Sequence, residues 1–135
     1  MPSARAPKAG LLLGVGMDLA SIERIAAALL GERGERFIQR VFTQREIDFC
    51  EKRKDRTAAY AARFAAKEAF VKALGVPEGI SWLHIEVVRD NGAPSLLLTG
   101  RAAEVMKQRH ARAMLTLSHD AGVAAAVVLI VSEGR

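Results

Sequence analysis

The chain has 135 residues, half of them hydrophobic and 26% charged. That balance excludes a disordered segment and suits one soluble globular domain that buries an ordinary core without metal or disulfide staples. A single cysteine, Cys50, rules out an intramolecular disulfide and fits a reducing cytoplasm, while a net charge of +5 makes an acidic partner a natural expectation.

Residues 1–10, with Pro2, Pro7 and small side chains, read as a mobile tail, and residues 11–135 as a single domain without linker or repeat. Leu11 to Met17 is apolar without a helical period, the pattern of a buried strand ending at Asp18. Interrupted by Gly14 and Gly16, it is too short for a signal-peptide core or a membrane span, and so is Ala121 to Val131. Ser21 reads as an N-cap for a helix whose Ile22, Ile25, Ala26 and Leu29 form one apolar stripe. Arg24 lies about 200° around that helix from Ile22 and points away from the stripe. Short helical pieces follow at Glu35 to Arg40 and, after Thr43 as cap, at Gln44 to Lys52.

The strongest helix runs from Ala58 to Leu74 and stops at Gly75, with Pro77 beyond it. Trp82 to Arg89 alternates, with Leu83, Ile85 and Val87 on one face, and Asn91-Gly92 is a type I′ hairpin signal leading into Pro94 to Leu98. A helix from Arg101 to Arg109 comes next. Ala113 to Ser118 and Val123 to Val131 read as strands around His119-Asp120-Ala121-Gly122, although Ala124 to Ala126 also suit a helix. The expected fold class is α+β, an antiparallel sheet packed with a long buried helix.

On that long helix Ala62, Ala65, Ala66, Ala69 and Ala73 fall within about a 100° arc, so another backbone can approach closely there. Tyr60, Phe64, Val71 and Leu74 fill a second sector, leaving the helix apolar on two sides. Charges on such a helix are costly unless they are paired, ligated or turned toward a cleft. Glu68 and Lys72 share one face, four residues apart. On spacing alone they suit a solvated i,i+4 ion pair; they also suit a carboxylate holding a divalent cation beside an ammonium that contacts phosphate. Asp18 has two readings as well, a capping carboxylate for the helix at Ser21 or a second acid at the rim of a cleft. Two carboxylates completed by water and phosphate oxygens are what Mg²⁺ prefers.

Other constellations are weaker. His84, His110 and His119 lack metal-ligand spacing, and Gly14-Val15-Gly16 lacks the third glycine of a dinucleotide fingerprint. Ser118-His119-Asp120 are consecutive, whereas triad members must face one another. The run Arg45, Lys52, Arg53, Lys54, Arg56 raises the alternative of a nucleic-acid module, but aromatics are only 5% and are not interleaved with it, so a solvated helix face fits better. A noncatalytic oligomeric scaffold leaves the charges on the buried helix unexplained.

Gly14-Val15-Gly16-Met17-Asp18-Leu19 followed by Ile22-Glu23-Arg24-Ile25 resembles the first motif of the holo-acyl-carrier-protein synthase family, the small phosphopantetheinyl transferases. Arg63-Phe64-Ala65-Ala66-Lys67-Glu68-Ala69-Phe70-Val71-Lys72-Ala73-Leu74-Gly75 resembles its second motif, and Leu117-Ser118-His119-Asp120 with Ala124 to Val128 its terminal hairpin. The likeness runs from Leu12 to Val131. It implies a 4′-phosphopantetheinyl transferase-like fold and transfer of the 4′-phosphopantetheine arm of coenzyme A to a serine of apo acyl carrier protein, with Mg²⁺ (or Mn²⁺) required and adenosine 3′,5′-bisphosphate released in support of fatty-acid biosynthesis. It further implies metal ligation by Asp18 and Glu68 and phosphate contact by Lys72. Arg63, Lys67, Gly75 and His119 would lie along the coenzyme A site, and Arg24 and Arg36, with Arg40, would face the carrier protein. Glu68, directly or through a water, is the candidate general base. A homotrimer is implied, with Asp18 of one subunit meeting the Glu68 helix of its neighbour. Neither a nucleic-acid nor a membrane partner is expected. Two departures stand out: Ala20 occupies the place of an additional acid found in the longer transferases, and Val76 to Ser81 is shorter than the glycine-containing loop of many members.

Overall fold

In the computed structural model, residues 8–134 are described. Strands β1 (Leu12–Ser21), β4 (Ala111–Asp120) and β5 (Val123–Ser132) form an antiparallel sheet in the order β1-β5-β4. Strands β2 (Ile85–Asn91) and β3 (Ala93–Leu98) make a separate hairpin. Between β1 and β2 come α1 (Ile22–Leu30), α2 (Gly34–Val41), α3 (Gln44–Glu51), α4 (Arg56–Ala73) and a short 3-10 turn, Trp82–His84. Helix α5 (Gly100–Gln108) joins β3 to β4. The α+β architecture with antiparallel sheets and a long buried helix is the one expected from the sequence.

The sheet lies against α4, and the fit depends on what is missing from both surfaces. Helix α4 presents Ala65, Ala66, Ala69 and Ala73, all buried, to β1 and β5. Across from them β1 carries Gly14 and Gly16, and a Cβ on either would collide with the carbonyl oxygens of Ala73 and Ala69 respectively. The close approach expected of the alanine face is therefore met by two glycines on the strand. The second apolar sector of α4 packs on aromatic rings, with Phe42 and Tyr60 centred 4.8 Å apart and Phe64 and Trp82 5.8 Å apart.

Several local expectations change. Strand β1 continues past Asp18 to Ser21, and it is buried on one face only: Val15, Met17 and Leu19 are 55%, 54% and 60% exposed. A continuous apolar run conceals this alternation, because both faces of the strand carry apolar residues. The β4–β5 turn contracts to Ala121 and Gly122, both with positive φ, and Ala124 to Ala126 belong to β5. Trp82 to His84 coils before the strand begins, since Ser81 caps it by accepting from the Leu83 amide at 3.2 Å. The β2–β3 hairpin turns around Gly92, where Asn91 pairs with Ala93 after a register shift. Of the tail expected over residues 1–10, the first seven lie outside the described residues. The Gly10 amide already donates to the Ser132 carbonyl at 2.7 Å.

Candidate active site

Asp18 stands on the face of β1 that carries Gly14, Gly16 and Ala20, so it is directed at α4. There the Lys72 ammonium donates to Asp18 Oδ1 at 2.8 Å and to the Met17 carbonyl at 3.3 Å. The helix start that Asp18 was positioned to cap is served instead by Ser21, whose hydroxyl accepts from the Arg24 amide at 3.2 Å. Glu68 sits one turn before Lys72. Burial and then repulsion from Asp18 raise the Glu68 pKa above the usual glutamate value, with Lys72 opposing. The hydrogen bond and charge of Asp18 in turn raise the Lys72 pKa.

Two carboxylates are thus near enough to repel each other, with the Lys72 ammonium bonded to one of them, an arrangement with residual negative charge. Among the described residues no cluster of three or more His, Cys, Asp or Glu side chains is placed to hold a metal. The donor set fits a hard cation that keeps waters and takes further oxygens from a phosphate ligand, as Mg²⁺ does. Asp18 and Glu68 come from one chain, which corrects the expectation that they meet across a subunit boundary. The glycine–alanine contact brings β1 onto its own chain's helix.

Arg63 and His119, the next expected pair, line a cleft of about 240 Å³ together with Phe49, Arg53, Arg89 and Ser118. Arg63 is only 3% exposed; its guanidinium lies 4.1 Å from the Phe49 ring centre and donates to the Ala59 carbonyl at 3.2 Å. Its Nε has no hydrogen-bond partner among the described residues, and burial lowers its pKa. A buried guanidinium with a spare donor beside Arg89 is suited to a phosphate, whereas Arg53 in the same cleft is paired with Asp55. Arg89 and Phe49 went unnoticed in the sequence because their relation to Arg63 is wholly tertiary.

Lys67 does not line a ligand site. It is fully buried, its ammonium pairing with Glu46 Oε1 at 2.7 Å and donating to the carbonyls of Trp82, at 3.0 Å, and Ile85. Burial pulls its pKa down while Glu46 pushes it back. The role along the coenzyme A site implied by resemblance is therefore corrected: every ammonium hydrogen already has a partner in the core. Gly75, at φ +81°, ends α4 one turn beyond Lys72, with open space where a side chain would be.

Arg24 and Arg36 are exposed on α1 and α2. Arg36 joins Arg33 and Arg40 around a cavity of about 330 Å³ whose apolar lining is Phe37, Val41, Phe64 and Trp82. The three arginines of the basic run in and after α3 are held in ion pairs, Arg45 with Glu86, Arg53 with Asp55 and Arg56 with Glu51. Such neutralised arginines are poor phosphate-backbone contacts. Among the described residues no helix is long and apolar enough to cross a membrane.

The family model described as the 4′-phosphopantetheinyl transferase superfamily matches residues 14–128. The holo-[acyl-carrier-protein] synthase of Myxococcus xanthus (strain DK1622) is 54% identical over 121 residues, covering 90% of this chain and 96% of its own. The crystal structure of the Helicobacter pylori holo-[acyl-carrier-protein] synthase in complex with coenzyme A superposes with a TM-score of 0.74 at 32% identity, covering 86% of this chain and 98% of that one. That from Neisseria meningitidis gives a TM-score of 0.77 at 29% identity over 89% and 98% of the two chains. With the family model spanning most of the chain and the paired acids standing on its matched strand and helix, the chain belongs to the 4′-phosphopantetheinyl transferase superfamily.

Proposed function

We propose that this chain transfers the 4′-phosphopantetheine group of coenzyme A to a serine hydroxyl of an apo acyl carrier protein, as a cytoplasmic enzyme supplying carriers for fatty-acid biosynthesis. The observation that carries the reading is the meeting of Asp18, Glu68 and Lys72 on the β1–α4 seam, in a chain similar to a synthase solved with coenzyme A.

The serine oxygen attacks the phosphorus that bears the pantetheine arm. A new P–O bond forms, the bond to the bridging pyrophosphate oxygen breaks, and adenosine 3′,5′-bisphosphate leaves with the electron pair. The hydroxyl proton goes to Glu68, directly or through a water. Lys72 compensates charge on the pyrophosphate, and transfer of this kind depends chiefly on positioning and on cations near developing negative charge. Mg²⁺, or Mn²⁺ in its place, would be held by Asp18 and Glu68; when bound it supplies positive charge to the pyrophosphate. Exposed Arg24 and Arg36, with Arg40, suit attraction of an acidic carrier protein.

The reading includes a homotrimer with divided active sites. On the outer face of the sheet Val15, Met17, Leu19 and Met114 stand uncovered beside half-buried Val127 and Leu129. Covering each exposed side chain is worth about 1 kcal/mol, roughly half the value for full burial. Arg63 and Lys72 are nine residues apart on α4, about 180° around its axis and roughly 13 Å along it. One coenzyme A reaches both the Arg63–His119 cleft and the Asp18–Glu68 pair most simply when a second copy brings its cleft to the first copy's carboxylates.

The test is incubation of the protein with coenzyme A, Mg²⁺ and an apo carrier protein. Mass spectrometry is expected to show the carrier gaining one phosphopantetheine. A folded protein that leaves the carrier unmodified overturns the reading.

A further inference from the structure

Helix α4 meets the sheet through alanines laid on glycines, a contact with few side-chain knobs to resist rotation of the helix about its axis. A carboxylate some 6–7 Å from a helix axis moves about 1 Å for each 10° of rotation, enough to spoil a shared ligand geometry. The angle of Glu68 is left to the rest of the helix, to the aromatic contacts of Tyr60 and Phe64 on its other side and to its polar contacts.

The residue adjacent to Glu68 makes the most directional of those polar contacts. Lys67 leaves α4 on the side away from the sheet and is enclosed completely, as is Glu46. The ammonium takes Glu46 Oε1 at 2.7 Å and the carbonyls of Trp82 and Ile85. Glu46 Oε1 also accepts from the Thr43 amide at 2.9 Å, closing the capping box at the start of α3. Its Oε2 accepts from the Val87 amide on β2 at 2.9 Å. One ion pair therefore fastens α4 to α3, to the Trp82–His84 turn and to β2, and it uses both oxygens of Glu46 and all three hydrogens of Lys67. These bonds have narrow geometry, unlike the alanine contact.

We propose that the buried Glu46–Lys67 pair is a positioning pair: it fixes the rotation of α4 and thereby aims Glu68 at Asp18 in the metal site. The inference rests on the assignment of Asp18 and Glu68 to the metal. A buried ion pair is not the most stabilising filling for such a space, since apolar residues of similar volume often do as well or better, so a role in orientation accounts for what stability alone does not.

The test compares the wild-type protein with Glu46→Gln/Lys67→Met, which removes both charges and keeps the volume. Three quantities are read: melting temperature, Mn²⁺ binding in the presence of coenzyme A followed by electron paramagnetic resonance, and kcat with KM for coenzyme A and carrier. The folded double variant is expected to bind Mn²⁺ about 10–100-fold more weakly and to lose kcat by a similar factor, with both KM values nearly unchanged. Wild-type Mn²⁺ affinity and kcat in the folded double variant overturn the proposal. Should that variant fail to fold, Glu46→Gln alone leaves Lys67 its two carbonyls and is judged by the same two quantities. A wild-type protein whose Mn²⁺ binding is indifferent to Asp18→Asn instead refutes the metal assignment beneath the proposal, a result distinct from equal binding by wild type and variant.

Discussion

Asp18 and Lys72 are 54 residues apart in sequence, yet the Lys72 ammonium lies 2.8 Å from Asp18 Oδ1 within a single chain. The contact exists because Gly14 and Gly16 let β1 rest on the backbone of α4, with Ala69 and Ala73 as the facing surface. Both proposed metal ligands therefore belong to one folding unit, brought together within a single chain.

Asp18→Asn is expected to lower kcat by about 10²–10³, because it withdraws one anionic ligand and the partner of Lys72 together. Far-ultraviolet circular dichroism should be unchanged, since Lys72 is exposed enough to find water in its place. Near wild-type turnover at limiting Mg²⁺ in the folded variant removes Asp18 from the metal site.

Glu68 predicts a pH dependence whose sign follows from its raised pKa. The folded state holds this proton more tightly than the unfolded chain, so stability falls as pH rises from the ordinary glutamate value through the raised one. At neutral pH the ionised carboxylate is a net cost, caused by burial and by Asp18. Glu68→Gln should therefore melt higher than wild type at neutral pH, with the difference shrinking below the ordinary glutamate range, while transfer is lost. Calorimetry at the two pH values checks it; a lower melting temperature at neutral pH contradicts it.

The β1–α4 seam carries the third expectation. A methyl group at Gly16 would meet the Ala69 carbonyl, so Gly16→Ala must push the strand from the helix at a cost of about 1–3 kcal/mol. Chemical denaturation measures the cost, and activity should fall further than stability because Asp18 moves with the strand. A neutral substitution shows that the seam is looser than described.

Much of this was legible in the sequence because it was local. The alanine stripe of α4, the Ser21 and Thr43 caps and the stop at Gly75 each lie within a few residues of one another. The two motifs also marked Asp18, Glu68 and Lys72. What escaped was tertiary. Lys67 lies within the same motif as Glu68 and carries a charge suited to phosphate, and only the fold reveals that Glu46, 21 positions earlier, claims it in the core. The outward face of β1 was likewise hidden by apolar residues at both parities, and the single-chain origin of Asp18 and Glu68 awaited the strand's placement.

For the carrier interface, Arg24→Glu should raise KM for the carrier protein and flatten the salt dependence of association, leaving coenzyme A binding unchanged. Arg24 is exposed on α1, so the exchange leaves the core untouched. Steady-state kinetics across ionic strength decides it. An unchanged carrier KM, or a defect confined to coenzyme A, removes Arg24 from that surface.

The most direct test of the whole account is subunit mixing between inactive variants. Asp18→Asn chains exchanged with Arg63→Ala chains should regain part of the activity, because some interfaces then join an intact carboxylate pair to a neighbour's intact cleft. Asp18→Asn chains exchanged with Glu68→Gln chains should regain none, since no chain in that mixture holds both carboxylates. After verified exchange, rescue in the second mixture but not the first would contradict both the single-chain metal pair and the divided active site.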